Sequence, residues 1–393
     1  MKKRPNFYRE PEFVKTVKSV QKYVEKQTGK SGFFDPLSVY EPDAIYYIVF
    51  GERSNGKTFG AQLCAMVRYF LYGDPFAIVR RWDEDFRPKN SSRFFGGLEK
   101  TGVIRFLSGG NYDHIVSKSR MFYLSKFDES GEEITEKQPC GYGFALTQME
   151  HDKGGTYPPN ISTIIFDEFM TRGIYLPDEF ALFQNAISTI IRDDGRAVIW
   201  LLGNTVSKYC PYFREMGLKH IKNMGIGDRD VYTDGDGNAL TVAHYAAGAA
   251  EQKTTNRYFA FDNPKLQMIT AGAFETAVYP HCPAERSKND VAYTFLIYFD
   301  DELLRCDVMR DNLGEWVFVY PKTTPIQDDS DILIYSDKND PRPNWRRRMC
   351  RPQTDAERAI YQLFRAEKIF YADNQCGETV RNYLQWQSTD RMV

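Results

Sequence analysis

The sequence has no apolar run longer than a β-strand. The longest, such as Ala44 to Phe50 and Ala197 to Leu202, fall far short of the ~20 residues that a membrane span requires. Met1-Lys-Lys-Arg4 runs into Pro5 and polar residues, not into an apolar signal core. The expectation is a soluble protein inside the cell with no membrane partner. There are five histidines, and seven cysteines at 64, 140, 210, 282, 306, 350 and 376 with no CxxC pair. That spacing argues against a zinc site or a disulfide framework and for reduced, buried thiols. Charge of neither sign dominates. A formal net charge of -2 is wrong for a general polyanion binder, so contact with nucleic acid has to come from local patches. Apolar surface, by contrast, is plentiful: hydrophobic residues make up 42% of 393 positions, with 28 Phe and 25 Tyr. This suffices for two cores, and the length favours two domains.

Along the chain, Phe13, Val14, Val17, Val20 and Val24 recur at helical spacing with lysines between them, predicting an amphipathic helix. Ala44 to Phe50 reads as a buried parallel strand. A helix from Thr58 to about Tyr72, stopped by Gly73-Asp-Pro75, and a second strand from Phe76 to Val79 complete a βαβ unit. The 87–150 region is more polar. Strand candidates at Val103–Leu107, Arg120–Leu124 and Tyr142–Leu146 suggest a meander that completes or decorates the sheet. Thr163 to Phe166 and Ala197 to Leu202 are two more buried strands, separated by a helix from about Asp178 to Ile191. The turn-rich Thr233-Asp-Gly-Asp-Gly-Asn238 predicts a hairpin, followed by a linker in the Ala-rich Ala243 to Ala250. Asp234 does not start a calcium loop, because the twelfth position is Tyr245 where a bidentate Glu is needed. Longer alternating strands follow at Ala292–Phe299, Leu303–Val308, Trp316–Tyr320 and Ile332–Tyr335, with helices at Asp355–Lys368 and Glu378–Gln387. The expected layout is an α/β domain over 1–245, a linker over 246–272 and a smaller α+β domain over 273–393.

The strongest motif is Gly51-Glu-Arg-Ser-Asn-Gly56-Lys57-Thr58, a GxxxxGK[ST] loop between a buried strand and a helix. Phosphates must be wrapped closely by backbone N–H groups. Gly51 and Gly56 therefore carry no side chain, and Glu52, Arg53, Ser54 and Asn55 line the loop. Lys57 then bridges the β- and γ-phosphates of ATP, and the Thr58 hydroxyl ligates Mg²⁺. Ser162-Thr-Ile-Ile-Phe166-Asp167-Glu168 is an apolar strand ending in two acids: Asp167 to hold Mg²⁺ and Glu168 to deprotonate the attacking water. Asn204, at the tip of the next strand, is placed to sense the γ-phosphate or to cap a turn. Arg192 and Arg196 either reach a neighbouring subunit's γ-phosphate or sit on a solvated turn. Arg80 and Arg81 either line a phosphate pocket or, as the favoured reading, pair with Asp83, Glu84 and Asp85. Further on, Arg342, Arg346, Arg347, Arg348 and Arg351 surround Trp345. They suit a phosphate backbone or RNA, and equally a solvated basic loop. Asp300, Asp301 and Glu302 read as a hairpin turn, not as a two-metal nuclease centre.

In this order the motifs resemble the DNA-encapsidation ATPases of small podoviruses whose linear genomes carry a terminal protein. Tyr157-Pro-Pro-Asn160 leading into Ser162 to Phe169, and Leu202-Gly-Asn-Thr-Val-Ser207 with Pro211-Tyr-Phe213, are not generic P-loop features and carry the resemblance, which spans roughly 45–215. It implies an additional-strand translocase-type P-loop fold followed by a degenerate RNase H-like nuclease domain that binds nucleic acid without cutting. It further implies a homomeric, pentameric ring that pumps double-stranded DNA into a capsid in the host cytoplasm, docking at the portal, with a structural RNA in some members. Lys57, Thr58, Asp167 and Glu168 fall at the family's phosphate, Mg²⁺ and catalytic-base positions. Arg192 falls at its trans-acting arginine, and Lys153 falls near an intersubunit basic residue. The N-terminal extension and the 87–150 insertion depart from the family pattern. The rival readings are another ring-forming DNA translocase, a terminase with an active nuclease, and a nucleotide-dependent scaffold.

Overall fold

In the computed structural model the described residues are 10–29, 33–41, 43–53, 55–91, 93–148, 161–171, 173, 175–191, 197–204, 209–247, 278–281, 290–312, 314–327 and 331–389. They form two compact units. The first comprises the described residues within 1–172 and 178–274, the second those within 173–177 and 275–393.

The first unit is built on a ten-stranded sheet. Its six central strands are parallel: β1 (Tyr46–Gly51), β2 (Phe76–Arg80), β6 (Gly141–Ala145), β7 (Thr163–Asp167), β8 (Val198–Asn204) and β10 (Ala239–Ala246). Five of the six residues of β1 are buried, as a strand covered on both faces must be. The margins are antiparallel. β3 (His114–Lys118), β4 (Met121–Phe127) and β5 (Glu133–Thr135) extend one side, and β9 (Arg229–Thr233) closes the other. The order is β3-β4-β6-β2-β7-β8-β1-β10-β9, so β8 is inserted between β1 and β7. Two consecutive motifs, at the ends of β1 and β7, are thereby held one strand apart.

Helices cover this sheet. α1 (Pro11–Thr28) buries Phe13, Val17, Val20 and Val24, as its periodicity predicts, against α2 (Lys57–Tyr72). Three short helices follow β2: α3 (Pro88–Ser91), α4 (Gly96–Lys100) and α5 (Val103–Leu107). Two expectations are corrected here. Val103–Leu107 is a helix, not a strand: Gly102 enters it at φ 70°, Val103 and Ile104 are buried, and Arg105 and Phe106 face solvent. Five apolar residues are too few for periodicity to separate the two states. The Ala-rich run is also not all linker, because Ala243 to Ala246 belong to β10 and pair residue by residue with β1. Alanine is a poor strand former, yet its small side chain suits the tight approach to the phosphate loop described below. Two more helices complete the unit, α6 (Glu179–Ile190) and α7 (Pro211–Glu215). The predicted turn at Asp234 is present. Its carboxylate accepts from the Asp236 and Asn238 amides at 3.0 and 2.9 Å.

The second unit has a six-stranded sheet. β11 (Val291–Phe299), β12 (Glu302–Asp311) and β13 (Gly314–Pro321) form an antiparallel meander. β14 (Ile334–Ser336) adds parallel to β11, β15 (Trp345–Arg346) adds parallel to β14, and β16 (Ile369–Tyr371) adds parallel to β13. Asp300 and Asp301, at φ 53° and 63°, make the predicted β11–β12 turn. α8 (Asp355–Arg365), capped by the Thr354 hydroxyl accepting from the Glu357 amide, and α9 (Asn374–Thr389) complete it. The basic run is built into this unit. Arg342 pairs with Asp340 at 2.7 Å and lies over Trp345, Arg346 neutralises the buried Glu357 at 3.0 Å, and Arg347 lies over Trp386.

Candidate functional site

β1 ends in the glycine-rich loop and α2 starts at Lys57, as the motif requires. Two glycines are dictated by the backbone. Gly51 sits at φ 152° directly against β10, where a Cβ would collide with the Ala246 carbonyl oxygen. Gly56 sits at φ 91° and opens α2, whose first amide, that of Lys57, donates to the Asn55 Oδ1 at 3.4 Å. Lys57 is almost fully buried. Its ammonium donates to the Glu52 carbonyl at 2.5 Å, the Asn55 Oδ1 at 3.0 Å and the Gly51 carbonyl at 3.3 Å. Burial pulls this ammonium down to about 8, against the opposing pull of Asp167 and Glu52.

β7 delivers the two acids. The Thr58 hydroxyl lies 3.3 Å from both carboxylate oxygens of Asp167, and burial pushes the Asp167 carboxyl upward while Arg80 opposes the shift. These are hard oxygen donors of the kind Mg²⁺ selects, at a helix start and a strand end, so Thr58 and Asp167 fit that ion. Glu168 takes φ 63°, a left-handed conformation that costs a non-glycine residue on the order of 1–3 kcal/mol. Four hydrogen bonds enforce it. The Glu168 and Phe169 amides donate to the Leu202 carbonyl, and Arg81 donates to the Glu168 and Phe169 carbonyls at 3.3 and 2.9 Å. The turn tips the Glu168 side chain out of the sheet and into solvent, where it is 68% exposed.

The arginines at the end of β2 correct a sequence expectation. Arg80 does not pair with the adjacent acids. It reaches Glu168 Oε2 at 3.1 Å and Asp167 Oδ2 at 3.4 Å, with its guanidinium over the Phe94 ring. Arg81 is buried in a bidentate pair with Glu179, at 2.7 and 2.8 Å, and Tyr212 donates to the same carboxylate at 3.0 Å. The adjacency of β2 and β7 supplies the partners of Arg80, and α6 and α7 supply Glu179 and Tyr212; no spacing in the sequence carries either.

Arg53, Asn55, Gly56, Lys57, Thr58, Asp167, Glu168 and Asn204 border one cavity of about 580 Å³. Asn204 stands opposite Gly51 in the β8–β1 register. Glu52 contributes its carbonyl to Lys57, and Gly51 underlies the loop. Ser54, Lys153, Arg192 and Arg196 lie outside the described residues. Arg346, Arg347 and Arg348 belong to the other unit. The site thus joins a phosphate-wrapping loop, a buried lysine, a hydroxyl–carboxylate pair and an exposed second acid held by an arginine.

Residues 28–228 match the family described as Podovirus DNA encapsidation protein (Gp16). The chain belongs to this family. DNA packaging proteins of Bacillus phages PZA and phi29 are each 29% identical to this encapsidation-family chain over 188 residues, which is 47% of this chain and 50% of theirs. The chain therefore spans about half the length of these curated relatives. The fold is similar to that of a chain in the bacteriophage Phi-29 viral genome packaging motor assembly, with a TM-score of 0.54 and 20% identity, covering 90% of this chain and 97% of that one. Among the described residues no helix is long and apolar enough to cross a membrane.

Proposed function

We propose that this encapsidation-family protein is the ATPase of a phage DNA packaging motor, hydrolysing ATP to drive double-stranded DNA into a capsid. One observation carries the reading: the Lys57–Thr58 phosphate loop and the Asp167–Glu168 pair face a single cavity, with β8 inserted between their strands in the additional-strand arrangement. Lys57 and the α2 N-terminus hold the triphosphate, and Thr58 with Asp167 would hold Mg²⁺, which when bound offsets phosphate charge. Glu168 takes the proton of the attacking water. Asn204 contacts the γ-phosphate, and Arg192 of a neighbouring subunit stabilises the charge that develops on it. Ring assembly, a pentamer docked at the portal in the host cytoplasm, and a packaging RNA belong to the same proposal. In the second unit the path β13-β12-β11-β14-β15, with β12 alone reversed, supports an RNase H-type sheet. We assign Arg346, Arg347 and Arg348 to nucleic acid there, of which Arg346 also pairs with Glu357 and Arg347 also lies over Trp386.

Steady-state ATP hydrolysis with and without double-stranded DNA tests the reading. DNA stimulates the wild type, while Glu168→Gln still binds ATP and loses about 10²–10⁴-fold in turnover, the usual worth of a general base. Turnover indifferent to DNA, or full activity in Glu168→Gln, rejects it.

A further inference from the structure

The phosphate loop closes only one end of its cavity. The same space continues past Phe59, on the first turn of α2, to the last turn of α1 and to α4. Val24, Thr28, Gly97 and Thr101 line that stretch, and Phe33 lines the cavity beside the loop itself. At about 580 Å³ the cavity is sized for a whole small-molecule ligand and not for a phosphate chain alone.

The chemistry changes along its length. Charged and amide groups surround Lys57, whereas the rest of the lining presents two aromatic rings, Val24 and small residues. Phe33 lies hard against the loop. A Cβ on Gly56 would stand 3.2 Å from its own Cβ, and 40% of its surface is left to solvent. A large apolar side chain held there, beside a phosphate site, is a platform for a flat ring. Gly97 permits a similar approach to Phe59, at 3.4 Å from a Cβ placed on it. The two hydroxyls nearby have already given their protons to the backbone, so neither donates to a base. Thr28 donates to the Val24 carbonyl at 2.8 Å and Thr101 to the Gly97 carbonyl at 2.9 Å.

We propose that Phe33, Phe59 and the facing ends of α1 and α4 form the subsite for the nucleotide base. It holds a purine by stacking and apolar contact, without reading its hydrogen-bonding edge, so ATP and GTP bind with similar affinity. The inference rests on the ATPase reading and assigns a role to the N-terminal helix, most of which precedes the family match beginning at residue 28.

Fluorescence titration with ribose-labelled ATP and GTP, and displacement by inorganic tripolyphosphate, test it on the full chain. Phe33→Ala weakens ATP by about tenfold, the loss of one stacked ring, and leaves tripolyphosphate displacement unchanged. Phe33→Trp restores ATP affinity, and wild-type affinities for ATP and GTP agree within about threefold. Equal weakening of ATP and tripolyphosphate would make Phe33 a prop for the loop and overturn the subsite, as would no change in either. A wild-type preference of more than about tenfold for one purine overturns the stacking-only mode. Lys57→Ala separates the two levels, because it abolishes tripolyphosphate binding. A wild-type chain that binds neither nucleotide nor tripolyphosphate removes the ATPase reading itself.

Discussion

Lys57 shows how a single buried cation prepares a site. Its charge is surrounded by three acceptors of its own loop, and burial still lowers it to about 8 from an ordinary value of 10.5. The unfolded chain therefore holds the extra proton between about pH 8 and 10.5, and this residue's contribution to stability rises with pH across that window. A triphosphate restores the charge, so binding takes up protons. Calorimetry in two buffers of different ionisation heat shows no uptake near pH 6.5 and clear uptake at about pH 8.5. Equal apparent enthalpies at the higher pH would contradict the lowered lysine. The identity of Lys57, Thr58, Asp167 and Glu168 as a group was legible in the sequence, because loop and strand-end motifs are local. Arg80 was not. Its neighbours in sequence are Asp83, Glu84 and Asp85, yet its partners come from a strand more than eighty residues away.

At the scale of elements, the turn after β7 is fixed from behind by β2, β8 and α6. Arg81 joins them, bonding the turn's carbonyls with one side of its guanidinium and Glu179 with the other. Both side chains are buried, and Tyr212 seals the carboxylate. Glu179→Ala leaves that guanidinium charged and unpaired, at a cost of about 3–5 kcal/mol in denaturant unfolding. The Glu168 turn loosens with it, so turnover falls even at temperatures where the variant remains folded. A shift below about 1 kcal/mol would mean that the pair is solvated. The strands and long helices were readable because burial on two faces and a 3.6-residue period leave strong signatures. Val103–Leu107 and Ala243–Ala246 were misread for opposite reasons: one apolar run is too short to show a period, and the other is too small in side chain to look like a strand.

At the scale of the whole molecule, the proposed partnership between copies can be tested by mixing variants. Glu168 belongs to the chain's own cavity, whereas Arg192 is assigned to a neighbour's. Glu168→Gln and Arg192→Ala, each inactive alone, therefore recover part of the DNA-stimulated turnover when mixed, since some interfaces then combine an intact acid with an intact arginine. Recovery that fails at every mixing ratio would place both residues in one subunit's chemistry.

The strand β10 carries a last consequence. It follows β1 up to Gly51, and one residue later the Ala247 carbonyl accepts from the Asn55 side chain at 3.4 Å, the same side chain whose oxygen holds Lys57. All of the chain downstream is covalently rooted at that point. In mechanical terms, Ala247 is a point through which a displacement reaches the phosphate loop. A shift of Ala247 bears first on Asn55 and then on the lysine, so movement at the end of β10 and a bound substrate act on the same few hydrogen bonds.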